Sequence, residues 1–317
     1  MIDGRRTIAG MILAAGRGER MLPLTRTLPK PLLPVLGVPL FEIAARKLLR
    51  AGAGRILANL HHLPDEIERY AEGRRLPVLF HREREILGTG GGIGNMAPSA
   101  AGADCVLLHN GDVVADIDFA PALAFHEARG ALVTLVLAPD GPRANVAVAE
   151  DGEVRSIGPG APAGASLLGY TGLAILAPAS LAFFPAGRKG GLVDVLSGMI
   201  ARRPGSVAGW NAGGGGAPYA WGDCGSPAPY LDVHRRILVE KTAFDPLVPP
   251  PPGSVHRSAD SVVEPGATLA GFCEIGRGAA IGRDAAVENC VLLEGARVAP
   301  GERRRNEIIF AGGSIRV

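Results

Sequence analysis

The residues with the clearest chemical potential lie in one stretch near the start of the chain, residues 8–35. Gly16 and Gly18 follow a short apolar run, Arg20 comes next, and Lys30 lies between two prolines. Glycines after a buried strand let the backbone turn sharply and direct several N–H groups at one point, which makes an anion site. Arginine grips a phosphate with two donors, and lysine acts as a point charge. We interpret this stretch as a triphosphate cradle.

A second apolar run, VLLHNGD, ends on Asn110, Gly111 and Asp112. Gly111 would allow a close approach of the backbone at the end of a buried strand. An acid at such a point can cap a helix or form a turn. It can also bind Mg²⁺, which prefers one or two carboxylates with phosphate oxygens in the remaining positions. Beside a triphosphate cradle, we interpret Asp112 as a magnesium ligand.

A third candidate is the glycine-rich stretch LGTGGGIGNM, residues 87–96. Its glycines predict an opening with little side-chain bulk and exposed amide groups between a strand and a helix. We expect Thr89 and Gly90 to meet the edge of a nucleotide base through backbone groups. A flexible loop without a ligand is the alternative.

Strands and helices must bring these segments together. Helical spacing occurs over residues 39–51, 64–71, 120–129 and 191–203, and strands are expected at 55–60, 76–80, 105–108 and 131–138, with a hairpin over 145–157. The alternation predicts an α/β fold with a doubly wound, mostly parallel, Rossmann-like sheet. Ligands are then expected at the carboxyl ends of the strands.

The end of the chain has a different pattern. Residues 245–253, DPLVPPPPG, predict a stiff proline-rich linker after a catalytic domain at 1–244. From Val263 to Leu293 an apolar residue recurs every six positions, which predicts a short left-handed parallel β-helix of hexapeptide repeats over 254–317. So short a unit needs partners at its ends, so we expect a homo-oligomer formed through this tail. The stretch from Val263 to Leu293 contains no histidine, which disfavours an acetyltransferase site.

Composition excludes several classes of protein. The chain has 317 residues and a net charge of +2, so nothing marks it as a nucleic-acid binder. No apolar stretch approaches the ~18 residues of a membrane span. The cysteines show no C-x-x-C spacing, which favours reduced thiols and a cytoplasmic protein.

The string from Leu13 to Leu32 resembles the signature of the sugar-1-phosphate nucleotidyltransferases (NDP-sugar pyrophosphorylases), L-A-A-G-x-G-x-R-x-x-P-L-T-x-x-x-P-K-P-L. Later elements resemble the family in the same order, including N-G-D at Asp112 and W-x-D-x-G-T-P-x-x-Y around Asp223, with Ser226 in place of the threonine. Ser226 followed by Pro227 also predicts the capped start of a helix.

The resemblance implies a role for each matching residue. It implies Arg20, Lys30 and Asp112 as catalytic residues, and Asp112 and Asp223 as Mg²⁺ ligands. The implied nucleotide-binding residues are Leu13, Ala14, Ala15, Gly16, Arg17, Gly18, Gly88, Thr89, Gly90, Asn110 and Gly111. Thr171 and Gly172 are implied sugar contacts, with a strand bulge at Gly172 as the alternative.

The activity implied by the resemblance is the formation of an NDP-sugar and pyrophosphate from a nucleoside triphosphate and a sugar 1-phosphate. Mannose 1-phosphate with GTP and N-acetylmuramate 1-phosphate with UTP both stay open. The chain departs from the family at residues 157–164, IGPGAPAG, where a glutamate–lysine pair for the sugar phosphate is absent. A non-catalytic regulatory subunit that binds an NDP-sugar is the main alternative, and cytidylyl or molybdopterin nucleotidyl transfer is a third.

Overall fold

The computed structural model describes residues 6–139, 141, 144–214 and 218–317. The chain forms two compact units. The first contains the residues up to Gly16 with Ala44–Val113 and Ile117–Trp221, and the second contains Arg17–Ile43, Val114–Asp116 and Gly222–Val317. In this division most of the cradle groups with the tail, and the predicted domain bounds at 1–244 and 254–317 stay a prediction.

Six α-helices occur in the described part of the chain: α1 (Leu40–Arg50), α2 (Pro64–Gly73), α3 (Gly88–Met96), α4 (Phe119–Arg129), α5 (Leu192–Arg202) and α6 (Pro227–Leu238). Local signals set their ends. Asp118 accepts a hydrogen bond from the Ala120 N–H at 3.0 Å and starts α4, and Gly130 in the left-handed region ends it. None of these helices has the length and apolar character needed to cross a membrane.

The strands up to α6 are β1 (Ile8–Leu13), β2 (Pro34–Val35), β3 (Val38–Pro39), β4 (Ala53–Leu60), β5 (Val78–Arg82), β6 (Cys105–Asn110), β7 (Val113–Asp116), β8 (Val133–Ala138), β9 (Val146–Ala149), β10 (Val154–Ile157), β11 (Ala165–Leu176), β12 (Val207–Asn211) and β13 (Ala220–Asp223). The main sheet has the order β10-β9-β11-β6-β1-β4-β5; in addition β8 pairs with β11, and β12 pairs with β8. Strands β6, β1, β4 and β5 are parallel, whereas β11 is antiparallel to β6.

This sheet confirms the predicted α/β class with a parallel core. Its central strands are almost continuous apolar runs, because a parallel sheet is covered on both faces. Ile12 and Leu108 are fully buried. Since β1, β4 and β6 run in the same direction, their carboxyl ends reach the same edge of the sheet.

The glycine-rich stretch corrects the sequence-based expectation. Residues 87–96 were expected to form an opening with exposed amides, but α3 occupies Gly88–Met96 and most of it is buried. Added Cβ atoms at Gly91 and Gly94 would lie 2.5 Å from the carbonyl oxygens of Arg188 and Pro185. The glycines therefore let this helix pack directly against another stretch of backbone.

The tail consists of β14 (Val255–Arg257), β15 (Val262–Val263), β16 (Thr268–Ile275), β17 (Ala280–Ile281), β18 (Ala286–Leu292), β19 (Arg297–Val298), β20 (Arg303–Arg305), β21 (Glu307–Phe310) and β22 (Gly313–Arg316). Most neighbours are parallel. Val262 pairs with Ala280, and Ala280 pairs with Arg297, a spacing of about three six-residue repeats. Ile281 and Val287, two of the apolar residues that recur every six positions, lie in the buried core of this tail.

The predicted proline-rich linker is partly buried, together with the residue that precedes it; its role as a linker stays a prediction. Phe244 is fully buried and Val248 is 1% exposed. Lys241 Nζ donates hydrogen bonds to the carbonyl oxygens of Leu238, Pro251 and Gly253. The segment is therefore held against the end of α6, which itself packs on β16 and β18.

Candidate active site

The candidate site begins where β1 ends. Leu13 is half-buried, Ala14 and Ala15 are buried, and Gly16 is exposed. The Ala14 N–H donates to Asn59 Oδ1 at 2.9 Å, so the first turn of the cradle is attached to the end of β4. An added Cβ at Gly16 would meet no heavy atom within 4 Å. The backbone is thus fixed at Ala14 and opens to solvent two residues later.

Gly18 shows why the second cradle position must be glycine. Its φ is +67°, in the left-handed region that L-residues rarely adopt. An added Cβ would lie 2.8 Å from Thr25 Cγ2 and 3.2 Å from Lys30 Cβ. The Thr25 hydroxyl donates to the Gly18 carbonyl at 3.0 Å. This turn therefore brings the chain carrying Lys30 back against Gly18.

Three of the predicted charged residues converge on a single point in the second unit. An added Cβ at Gly225 would lie 2.6 Å from Asp223 Oδ1, 2.7 Å from Arg20 Nη2 and 3.0 Å from Lys30 Nζ. Asp223 Oδ1 also accepts a hydrogen bond from the Gly225 N–H at 2.6 Å. Arg20 is exposed, whereas Lys30 and Asp223 are half-buried. The fold thus places two cations and one carboxylate around a buried glycine.

Asp112 lies in the first unit, at the turn that follows β6. The Gly111 N–H donates to the Leu13 carbonyl at 2.9 Å, and an added Cβ at Gly111 would lie 2.8 Å from that oxygen. Leu13 pairs with Asn110 in the sheet. The predicted residues Asn110, Gly111 and Asp112 therefore lie directly beside the start of the cradle, as expected from parallel strands that end together.

Next to these residues, the side chain of His109 is fully buried. Burial lowers the pKa of His109 to about 4, and its Nδ1 lies 2.7 Å from the Asn110 carbonyl oxygen. The imidazole is therefore neutral near pH 7 and donates to that carbonyl. Within the described residues, the buried Asn110 Oδ1 has no hydrogen-bond partner.

The predicted sugar contact through the Thr171 side chain is not supported. Thr171 is fully buried, and its Oγ1 donates to the Val136 carbonyl at 2.7 Å. Its own carbonyl accepts from Trp221 Nε1 at 2.6 Å. The alternative, a bulge at Gly172, is present: the strand register shifts there and φ is +84°. An added Cβ at Gly172 would lie 2.9 Å from Asn110 Nδ2.

The amide N–H of Gly90 gives no support to the expected base contact at this residue. The Gly90 N–H donates to the Gly190 carbonyl at 2.9 Å, so it is not open to a base. Gly88 is exposed and Thr89 is half-buried at the start of α3. A contact by either of these two residues stays a prediction.

Ser226 occupies the predicted position before α6 but makes no side-chain capping bond.

The sequence analysis did not identify Asn59 and Glu83, which are 3% and 6% exposed. Asn59 Nδ2 donates to Glu83 Oε1 at 2.7 Å. A polar residue inside the apolar run of β4 was the available signal, since buried polar groups need partners.

Comparison with known proteins gives matches along most of the chain. A family described as "Nucleotidyl transferase" matches residues 9–157. A mannose-1-phosphate guanylyltransferase of Mycobacterium tuberculosis is 29% identical over 309 residues, which covers 93% of this chain and 82% of that protein. An N-acetylmuramate alpha-1-phosphate uridylyltransferase of Neisseria meningitidis is 44% identical over 116 residues, covering 35% of this chain and 50% of that protein.

Among solved structures, the fold is similar to that of a putative glucose-1-phosphate thymidylyltransferase from Bacillus anthracis. The TM-score is 0.59 at 18% identity, and the match covers 71% of this chain and 93% of that chain. At this identity the likeness concerns the fold alone.

Proposed function

We propose that this chain is a nucleotidyl transferase that joins a nucleoside triphosphate to a sugar 1-phosphate, releasing pyrophosphate. The observation that carries the proposal is the convergence of Arg20, Lys30 and Asp223 around Gly225. Arg20 and Lys30 are far from Asp223 in the sequence. The residue types predicted the two cations, and the family resemblance predicted Asp223.

The reaction needs no nucleophile from the protein. An anionic phosphate oxygen of the sugar 1-phosphate attacks the α-phosphorus and forms a new P–O bond. The bond from the α-phosphorus to the bridging oxygen breaks, and its electron pair leaves with pyrophosphate. Catalysis is then positioning and charge neutralisation. In this proposal Arg20 binds the leaving pyrophosphate and Lys30 the α-phosphate or the incoming phosphate.

We propose Asp112 and Asp223 as the carboxylate ligands of Mg²⁺. Among the described residues, no group of three or more His, Cys, Asp or Glu side chains could hold a metal ion by itself. This donor set fits Mg²⁺, which takes one or two carboxylates and completes its shell with phosphate oxygens and water. When bound, the ion neutralises charge on the phosphates.

The first substrate pair to test is mannose 1-phosphate with GTP. The guanylyltransferase match spans nearly the whole chain, including the tail. The uridylyltransferase match is stronger in identity but covers only about a third of the chain, so N-acetylmuramate 1-phosphate with UTP is the second pair. Residues 158–164, where the glutamate–lysine pair is absent, form a mostly exposed connection between β10 and β11.

The test is pyrophosphate release with Mg²⁺ for four nucleoside triphosphates crossed with a panel of sugar 1-phosphates. We expect turnover with one pair, and its loss by about 10²-fold or more in Asp112→Ala, in the range seen when a transition-state charge partner is removed. Tight NDP-sugar binding without turnover for any pair would contradict the proposal and support the regulatory-subunit alternative.

Gly225→Ala tests the point of convergence. The added methyl would lie within 3.0 Å of three charged atoms, so these side chains must shift. We expect turnover to fall by about 10²-fold, since a displacement of about 1 Å at reacting groups has that effect. The measurement is the same pyrophosphate assay.

Gly198→Ala is the matched control. Gly198 lies within α5, and an added Cβ there meets nothing within 4 Å. This variant should keep wild-type turnover and gain up to about 1 kcal/mol of stability, because alanine is the better helix former. Equal turnover in the two variants would contradict the assignment of the Gly225 site.

We propose that the tail is a short left-handed β-helix of hexapeptide repeats through which copies of the chain assemble into a homo-oligomer. The parallel pairing of strands about three repeats apart supports the β-helix.

We also propose a cytoplasmic location, supported by four cysteines that are all free and buried. Cys273 and Cys290 pair in register on adjacent strands without forming a disulfide.

A further inference from the structure

Two buried polar side chains connect three parts of the first unit. Asn59 Oδ1 accepts from the Ala14 N–H at 2.9 Å, and Asn59 Nδ2 donates to Glu83 Oε1 at 2.7 Å. Glu83 Oε2 accepts from the Leu87 N–H at 2.9 Å. The chain of hydrogen bonds therefore runs from the first turn of the cradle to the residue that precedes α3.

The network requires a carboxylate at position 83. Both groups that face Glu83 are N–H donors, and an ionised carboxylate is the side chain that only accepts. An amide at this position would place a donor against one of them. Turning the Asn59 amide to correct that contact would move the mismatch to the Ala14 N–H.

The surroundings prevent the pair from relaxing. Asn59 and Glu83 are 3% and 6% exposed, so water cannot easily replace a lost partner. An added Cβ at Gly92 would lie 2.5 Å from Asn59 Nδ2 and 3.2 Å from Glu83 Oε1. Gly92 thus lets α3 cover the pair, and a buried donor left without an acceptor is costly.

We propose that Asn59 and Glu83 are a positioning pair that fixes the Ala14 backbone and the start of α3 in one arrangement for the nucleotide. The inference rests on the proposed function. The pair acts through the Ala14 and Leu87 amides, and neither side chain is required to touch substrate. It joins the cradle to the start of α3 without contributing a charge to the Gly225 site.

The first test is Glu83→Gln, which keeps the shape of the side chain. We expect the KM for the nucleoside triphosphate to rise about tenfold or more, the effect of one unsatisfied buried donor. The KM for the sugar 1-phosphate should change by less than about threefold, since the lost bonds lie on the nucleotide segments. Hydrogen exchange of the Ala14 and Leu87 amides should become faster.

The decisive variant is the double substitution Asn59→Asp with Glu83→Gln. The carboxylate at position 59 then accepts from Ala14 N–H and from the new amide, whose oxygen accepts from Leu87 N–H. Every bond is restored with the same total charge, so nucleotide KM and amide exchange should return to wild-type values. The inference is overturned if Glu83→Gln raises the nucleotide KM and a folded double variant does not restore the wild-type value. If Glu83→Gln does not fold, a folded double variant with wild-type KM supports the pair, and an unfolded one overturns it.

Glu85→Gln is the control. Glu85 is exposed, and its carboxylate lies 3.7 Å from Lys189 Nζ. The substitution therefore removes the same charge from the same segment without changing the hydrogen bonds of Asn59 and Glu83. It should leave the nucleotide KM and the amide exchange unchanged.

The exchange measurement needs no substrate, so it tests the positioning pair separately from the proposed function. If wild type lacks transferase activity, the proposed function fails. If exchange at Ala14 and Leu87 is the same in wild type and Glu83→Gln, the positioning pair fails.

Discussion

Replacing Lys30 by alanine is expected to lower kcat by about 10²-fold or more, as when other donors to a transition-state charge are removed. Lys30 Nζ lies at the point where Arg20 and Asp223 also meet, beside Gly225. Charge grows on the transferring phosphate during the reaction, so a cation at that point stabilises the transition state more than the bound substrates. The measurement is steady-state pyrophosphate release with saturating Mg²⁺ and both substrates.

Two variants control this prediction. Lys189→Ala removes an exposed lysine that is 72% accessible, and it should leave kcat unchanged. Lys30→Arg keeps the charge but replaces a compact ammonium group by a larger, planar guanidinium group, so we expect no more than partial activity. Near-normal turnover of a folded Lys30→Ala enzyme would remove Lys30 from the mechanism.

Replacing Phe244 by alanine is expected to destabilise the second unit by about 3–5 kcal/mol, the usual cost of truncating a fully buried aromatic ring. Phe244 is fully buried, and the Arg236 guanidinium lies 4.7 Å above its ring. An added Cβ at Gly222 would lie 3.2 Å from Phe244 Cε1, so the ring also packs beside the strand that carries Asp223. Urea denaturation should show this decrease in the free energy of unfolding.

Phe183→Ala is the matched control for Phe244. Phe183 is 41% exposed, so its truncation should change the free energy of unfolding by less than about 1 kcal/mol. If Phe244→Ala is as mild as Phe183→Ala, the segment before the prolines does not contribute to the packing of the second unit. A large difference in unfolding free energy supports the packed segment and its contact with α6.

The sequence predicted the local turns and the strand ends better than it predicted which groups pack against the glycine-rich run. Gly18 could be recognised because its left-handed conformation is a local property of a turn after a buried strand. Asp112 could be placed beside the cradle because parallel strands that alternate with helices end at one edge of the sheet. The chain resembles a known family at the same positions, which gave their roles.

The errors share one physical cause. A glycine-rich run indicates that some group approaches the backbone closely, but it does not identify that group. At Gly90 the neighbour is the backbone of Gly190 and Gly191, whereas a nucleotide base was expected. Thr171 looked available for a sugar, yet its hydroxyl is held by the Val136 carbonyl from another strand.

The sequence by itself determined the local features: the periodicity of strands and helices, the six-residue repeat of the tail, and the residue types able to bind a triphosphate. Tertiary structure decided which distant groups meet. It brought Arg20 and Lys30 close to Asp223, and it placed Asn59 within hydrogen-bond distance of Glu83. The physical reason is that turn conformation and apolar period depend on neighbouring residues, whereas close packing and buried hydrogen bonds depend on segments that only the complete fold brings together.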